Sequence, residues 1–428
     1  MSRGRHTWTA CMAAMVLAGG CGDADPGTTI GELDPLPEPP AFAAVMSDYS
    51  SAAIGFLDAE GEVLAANWIN SGTTEPGIVA TLSGDVVLPT ERAADGSFTL
   101  IDRLRTDVIT RFEMPSGELI GQVRTHGEPM DTGFSSNPHD YLQVDESTAW
   151  VTRFGVQLDT SEPPQNQGND LLRIDPGAMV RTDDRVDLST FDTTGTVQTD
   201  GGPMEVDVYA RPDRMVRLGD VMVVGLSRLS LDFSVSGPGL TAVVSTDGSS
   251  LSSVPHGDLR NCGMVAPVPG ADDRAIVACV GFSQPFDDEA QTRATAGLAL
   301  VEANGLEVGE VLRWQAADDA DSAIAVQNVT SLGGTVAVAV DFGSHDPAVP
   351  DRLYRVDLAT GEQTPIHEST EAFALGKPAL DPATGLLLVP DAADGVHRFQ
   401  VEEDRITEID VVEVAPELGL PVRRVSRL

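Results

Sequence analysis

An all-β fold assembled from repeated units is predicted by three observations on this 428-residue sequence. The first is a turn signature that recurs seven times, an apolar residue followed by an acidic or hydroxyl residue and a short turn. The instances are Phe56-Leu57-Asp58, Phe112-Glu113, Ile174-Asp175, Val244-Ser245, Val301-Glu302, Val356-Asp357 and Val401-Glu402. Most run into a glycine (Gly61, Gly117, Gly177, Gly248, Gly305, Gly361), the last into Glu403-Asp404. The second is short alternating apolar runs such as residues 335–340 (TVAVAV) and 275–280 (AIVACV), with little helical periodicity. The third is composition: 42 glycines and 28 prolines imply many tight turns, and 5% aromatics leave the core to Val, Leu, Ile and Ala.

The seven marks lie 45 to 70 residues apart. Regular solenoids do not vary this much, whereas propeller blades tolerate loop insertions around one shared core. The expectation is therefore a seven-bladed β-propeller of four-stranded blades over residues 42–428. In the fifth unit the strands are read at residues 262–267, 274–280, 297–301 and 306–314; in the sixth, at 324–330, 335–341, 353–357 and 363–367. The acid after each third strand is assigned a structural role, because Asp hydrogen-bonds the backbone two residues on and the following Gly supplies φ > 0. The first unit is one strand short. Residues 420–428 (LPVRRVSRL) resemble the segment that opens the fourth unit (residues 211–218, RPDRMVRL), so a C-terminal strand is expected to complete the N-terminal blade and close the ring.

Residues 1–20 read as an export signal. Arg3, Arg5 and His6 form its positive end, Ala10 to Leu17 an apolar stretch too short to span a bilayer, and small residues lead to Cys21. The pattern resembles a bacterial lipoprotein signal, which implies lipid attachment at Cys21 and a membrane as partner. Gly22 in place of Asp favours the outer membrane or cell surface over the inner membrane, so the expected address is the cell envelope. Residues 21–41 are acidic and rich in Pro and Gly and read as a tether, reaching on the order of 60 Å at ~3.1 Å per residue.

The strand–hairpin–strand units with their acid-to-glycine turns, together with residues 83–89 (SGDVVLP), 137–141 (NPHDY) and 260–263 (RNCG), resemble bacterial secreted propellers of the YncE-like group. The resemblance covers residues 42–428 and implies a fold. It implies no catalytic residues, since propellers host many unrelated activities.

Cys11 leaves with the signal, so Cys262 and Cys279 remain in the domain. They are symmetric about Gly270-Ala271 and face each other across a simple hairpin, ~4.5–5.5 Å apart at Cα. Outside the cytoplasm such a pair is expected to be a disulfide, worth at most ~3 kcal/mol; the alternative is two buried thiols. No third ligand stands at metal spacing from them.

A formal charge of -39, from 66 acids against 27 bases, excludes nucleic acid as partner and could hold calcium loosely, with no cofactor expected. There is no G-x-S-x-G, H-E-x-x-H, G-x-G-x-x-G or P-loop, and the seven histidines are scattered singly. One constellation stands out. The residues leading into the inner strands include Asp85, His139, Asp140, Arg214, Arg260, Asn261, Asn328, Arg423, Arg424 and Lys377, the only lysine of the chain. They are expected to form a locally basic channel mouth for a small anionic ligand or an acidic peptide; the plainer reading is that they pair with one another. Loops 156–170 and 282–296 are the longest insertions read from the sequence. The functional expectation is a monomeric, tethered binding or scaffolding module. The alternatives are a propeller lyase, lactonase or hydrolase acting at the channel mouth, and a purely structural surface protein.

Overall fold

Seven antiparallel four-stranded sheets follow one another along the chain in the computed structural model, which describes residues 33–428 except 74–81, 104, 128–133, 160, 200, 285–288, 317–324, 346–347 and 404. Blade 1 orders Val422–Arg427, Phe42–Ser47, Ala52–Leu57 and Val63–Asn70 from the inside out; blade 2 orders Val86–Val87, Phe98–Asp102, Val108–Phe112 and Leu119–Arg124. Blade 3 holds Pro138–Gln143, Ala149–Val156, Gly168–Asp175 and Val180–Asp187, and blade 4 holds Pro212–Leu218, Val221–Leu226, Pro238–Ser245 and Leu251–Arg260. Blades 5 and 6 run Met264–Val268, Ala271–Val280, Ala296–Asn304, Glu307–Gln315, and Val326–Gly333, Val336–Asp341, Arg352–Asp357, Gln363–Glu368. Blade 7 is Ala379–Asp381, Leu386–Asp391, Gly395–Val401 and Ile406–Val412. Inner strands of neighbouring blades touch one another, which arranges the blades around an axis.

The two periodicities seen in the sequence have separate causes. Middle strands such as Ala52–Leu57 and Val221–Leu226 are buried on both faces and read as continuous apolar runs. Outer strands such as Glu307–Gln315 have one face in water and alternate. Seven apolar clusters fill the seven seams. One holds Ile276, Leu298 and Leu300 of blade 5 against Val329, Ala337 and Tyr354 of blade 6. Another holds Leu386, Leu388 and Val396 of blade 7 against Phe42, Ala44 and Val425 of blade 1.

The ring closes as the sequence suggested. Val422–Arg427 pairs antiparallel with Phe42–Ser47, Ala44 opposite Val425 and Val45 opposite Arg424. Cys262 and Cys279 form a disulfide with their Cα atoms 3.8 Å apart. The hairpin register is nevertheless shifted by one from the symmetric expectation. Met264 pairs with Ala278, and at the irregularity between Pro267 and Val268 the partner steps from Ala275 to Ala271, three residues more than a regular ladder takes. Cys262 precedes the strand and bridges to Leu226 of blade 4.

The turn aspartates are structural. The Asp58 and Asp175 carboxylates each accept two backbone N–H bonds, and Gly61 has φ +78°. Gly177 breaks the pattern: in that turn the left-handed residue is Met179, φ 51°.

Three expectations need correction or fall outside the view. Residues 33–41, read as tether, lie on the propeller: Leu36 is buried in the seam of blades 1 and 2, its N–H donates to Pro115 O at 2.9 Å, and Trp68 Nε1 donates to Asp34 O at 2.9 Å. Two leucines in an otherwise polar stretch suffice to dock it. The signal segment 1–20 and Cys21 lie outside the described residues. The largest elaboration was not read from the sequence: Thr193–Thr199, Gly202–Tyr209 and Leu229–Ser230 form an extra three-stranded sheet between blades 3 and 4. The alternation on either side of Asp200-Gly201 is a hairpin cue that the blade template absorbed. The insertions that were read carry a 3-10 turn, Pro164–Asn166, and a short helix, Glu289–Ala294.

Val425 is 1% exposed at the closing seam. Val425→Asp buries an unpaired charge there and is expected to lower the stability by ~3–5 kcal/mol, read as a fall in the urea midpoint. An unchanged midpoint would show that the closing strand contributes little.

Candidate ligand site in the axial channel

Inner strands in neighbouring blades begin alike. Asn137-Pro138-His139-Asp140 opens blade 3 and Arg211-Pro212-Asp213-Arg214 opens blade 4. Asn137, Arg211 and Asn261 take left-handed φ of 47°, 49° and 55°, a conformation that Asn tolerates and Arg adopts only under constraint. The register then slips between Pro138 and Asp140 and between Pro212 and Met215. Such bulges re-aim side chains next to a site. Here they place His139 and Asp213 at equivalent positions of adjacent blades, facing each other.

A polar chain crosses three blades at this upper mouth, where the inner strands begin. Arg103 Nη2 meets Asp85 Oδ1 at 2.5 Å, and Arg103 Nη1 lies 3.4 Å from His139 Nε2. His139 Nδ1 is 2.7 Å from Asp213 Oδ1, which is 3.6 Å from Arg214 Nε. Arg214 Nη1 donates to His139 O at 2.8 Å and to Leu88 O at 3.1 Å, so a side chain of blade 4 is tied to blades 2 and 3. The His139 ring stacks on Phe154 at 4.3 Å between centroids, and the Arg211 guanidinium lies 4.9 Å from the centre of the same phenyl ring.

Burial sets the protonation states. It lowers the His139 pKa to about 4, with Arg103 and Arg214 acting in the same direction against Asp213. Burial alone raises Asp213, but His139, Arg214 and Arg103 outweigh it and hold the carboxyl at about 2. At neutral pH the pair is thus a neutral imidazole donating Nδ1–H to a carboxylate.

Deeper in the channel the balance turns positive. Burial, reinforced by Arg103 and Arg214, lowers Arg424 to about 9, and burial with Arg214 and Arg424 lowers Lys377 to about 8. Arg103, Arg214, Lys377 and Arg424 therefore converge from blades 2, 4, 7 and 1. Among the described residues the Lys377 and Arg424 side chains make no hydrogen bond or ion pair. The acids nearby are committed: Asp85 to Arg103, Asp213 to His139, and both oxygens of Asp140 to the N–H groups of Thr90, Tyr141 and Met215 at 2.8–2.9 Å. Glu91 accepts Arg217 N–H at 2.7 Å, and burial raises its pKa to about 7.

Two cavities adjoin the inner strands. The upper cavity, about 260 Å³, is lined by His139, Phe154, Asp213, Asn261, Gln327 and Asn328. The lower one, about 670 Å³, is lined among others by Glu91, Arg217, Thr330, Lys377 and Arg427.

Of the ten residues singled out in the sequence, Asp85, His139, Arg214, Asn261, Asn328, Lys377 and Arg424 meet along this channel, and Asp140 is a cross-link between blades rather than a ligand group. Two point elsewhere. Arg260 Nη1 donates to Ser236 O at 2.5 Å in an outer cleft with Thr194 and Phe282. Arg423 donates to Ser47 O and Phe373 O and lies 5.3 Å over the Tyr49 ring. Arg423 and Arg424 diverge because successive strand residues face opposite sides. Sequence reasoning missed Arg103, Asp213 and Glu91. Superposing the two X-Pro openings would have found Asp213; no local signal marks Arg103, which follows a second strand.

No protein-family model and no curated protein matches the chain. Among solved structures it is similar to a candidate 6-phosphogluconolactonase from Bacteroides fragilis, with 10% identity over 92% of this chain and 100% of that chain and a TM-score of 0.52. It is also similar to a periplasmic gluconolactonase from Pseudomonas aeruginosa, with 14% identity over 91% of this chain and 99% of that chain and a TM-score of 0.52. These neighbours are β-propellers, and at such identities the likeness is one of fold.

The His139 ring, followed by NMR, is expected to titrate at about pH 4 rather than near the ordinary ~6.5. Its folded pKa lies below the unfolded one, so the unfolded chain binds more protons in that window. The His139 contribution to stability therefore falls as pH drops from about 6.5 to 4, by on the order of 3 kcal/mol, and His139→Gln removes that part of the pH dependence. A titration near 6.5 would mean that the ring is not enclosed as described.

Proposed function

We propose that this protein is a membrane-tethered, YncE-like secreted propeller, lipidated at Cys21 and held in the cell envelope, that binds a small anionic ligand in its axial channel. The observation that carries this reading is the pair of partially buried cations that make no hydrogen bond or ion pair among the described residues, Arg424 and Lys377, beside Arg103 and Arg214 in a chain of net charge -39. An unpaired cation in a half-buried site is costly unless an anion completes it. A sugar carboxylate or sugar phosphate is of the right size for the lower cavity of about 670 Å³, which Lys377 lines.

A second reading, hydrolysis of a lactone, is supported by the His139–Asp213 pair beside Arg103 and by structural neighbours described as gluconolactonases. An imidazole with a pKa of about 4 is a weak general base at neutral pH, where efficient bases lie near 7. Binding is therefore the preferred function.

Calorimetric titration with 6-phosphogluconate, gluconate and inorganic phosphate tests the proposal. Each charge-assisted contact is worth ~1.5–3 kcal/mol, so Arg424→Ala and Lys377→Ala should each weaken binding roughly 10- to 100-fold, with Arg260→Ala as an unaffected control. Affinity should also decline as pH rises through about 8, where Lys377 loses its charge. Binding by none of the three anions, or binding indifferent to both variants, rejects the site. Glucono-lactone turnover above the spontaneous rate that is lost in His139→Gln would establish the second reading instead.

A further inference from the structure

We propose that His367, His397, Asp391 and Asp394 form a binding site for a zinc-like divalent transition-metal ion at the seam between blades 6 and 7. His367 lies on the outermost strand of blade 6, Asp391 ends the second strand of blade 7, Asp394 is in the turn that follows, and His397 is on the third strand. The two imidazole rings are 4.2 Å apart between centroids. Asp391 Oδ2 lies 3.8 Å from His367 Nε2 and 3.9 Å from His397 Nε2, and His397 Nε2 lies 3.9 Å from Asp394 Oδ2.

Three of these atoms, His367 Nε2, His397 Nε2 and Asp391 Oδ2, are buried and have no hydrogen-bond partner among the described residues. The separations of 3.8–3.9 Å are too long for them to satisfy one another. Asp391 is 0% and His397 3% exposed, so bulk water does not meet the need either. The tautomer of His397 is set by its other nitrogen: Nδ1 is 2.7 Å from Glu408 Oε1 and donates its proton there, which leaves the Nε2 lone pair facing Asp391 and Asp394. This carboxylate–imidazole arrangement orients and strengthens a metal-ligating histidine. Asp391 is fixed too, since its Oδ1 accepts Ala393 N–H at 2.8 Å.

The donor set selects the ion. Two imidazole nitrogens with one or two carboxylate oxygens suit zinc and its neighbours, whereas calcium asks for six to eight oxygens. The ligand atoms of Asp391, Asp394 and His397 all lie within 4.8 Å of one another, and the three separations of 3.8–3.9 Å exceed the ~3.4 Å edge of a tetrahedron with ~2.1 Å bonds by a few tenths of an ångström; His367 completes the set by a side-chain movement toward that trio. Two carboxylates neutralise the divalent charge, and the ion joins the outer strand of one blade to the middle strands of the next.

The test is equilibrium dialysis of the full chain against Zn²⁺, Co²⁺ and Ca²⁺, with the visible spectrum of the Co²⁺ form. One equivalent of Zn²⁺ or Co²⁺ that calcium does not displace, with the intense d–d bands of a four-coordinate site, is expected. His367→Gln, whose side chain is 12% exposed and so tolerates exchange, should lower the affinity by at least tenfold with an unchanged circular-dichroism spectrum. Glu408→Gln, acting through His397, should lower it roughly 10- to 100-fold. Absence of stoichiometric binding in the parent chain overturns the proposal. So does an affinity that neither variant moves, which would assign the ions to the acidic surface at large.

Discussion

Pairing of Phe42–Ser47 with Val422–Arg427 converts seven sheets in a row into a ring. Each blade has an apolar face on both sides and can bury them only against two neighbours, so an open array would leave blades 1 and 7 with a bare face each. Closing a loop of several hundred residues costs about 5 kcal/mol of chain entropy. The closing seam offsets this with Phe42, Met46, Leu57, Leu386, Leu388 and Val425 among its buried side chains, each worth ~1.5–3 kcal/mol when fully buried. The six other seams are then held at fixed spacing, and the axial channel inherits its width from them.

Buried carboxylates carry the alignment inward. Asp140 ties the backbone of Thr90 and Met215 to its own strand, joining blades 2, 3 and 4. Asp351 does the same between blades 6 and 7, its two oxygens accepting N–H groups from Gly343, Phe373, Ala374 and Leu375. Asp107 accepts from Ser135 and Asn137 across blades 2 and 3. A carboxylate serves this purpose because it takes several convergent donors at once and the resulting bonds are charge-assisted. The acidity of the chain is therefore partly architectural, and the cations of the channel stand in a frame already saturated with satisfied acids.

What the sequence discloses about this molecule follows the range of each interaction. Asp58 and Gly61 belong to one turn and are legible together; Cys262 and Cys279 sit in one hairpin and are nearly so, with the register off by one because the ladder is irregular near the tip. Ring closure was readable because residues 420–428 repeat the chemistry of residues 211–218. The candidate channel set was half legible. A rule that selects residues opening the inner strands finds His139 and Arg214 but also collects Arg260 and Arg423, because it cannot tell which side of the strand a residue faces. Arg103, which reaches His139 from another blade, and the meeting of His367 with His397 depend on blade-to-blade register, for which no local pattern exists. The extra sheet over Thr193–Tyr209 was hidden for a different reason: its alternation is that of any blade strand.

The placement of Arg424 has a consequence for biosynthesis. It stands on the strand that closes the ring, and Lys377 leads into blade 7, so both are made after the first six blades. Until blade 7 and the closing strand have been made, Arg103 and Arg214 stand without Lys377 and Arg424 beside them. An anion of the kind proposed above would therefore favour closed rings over open ones by mass action.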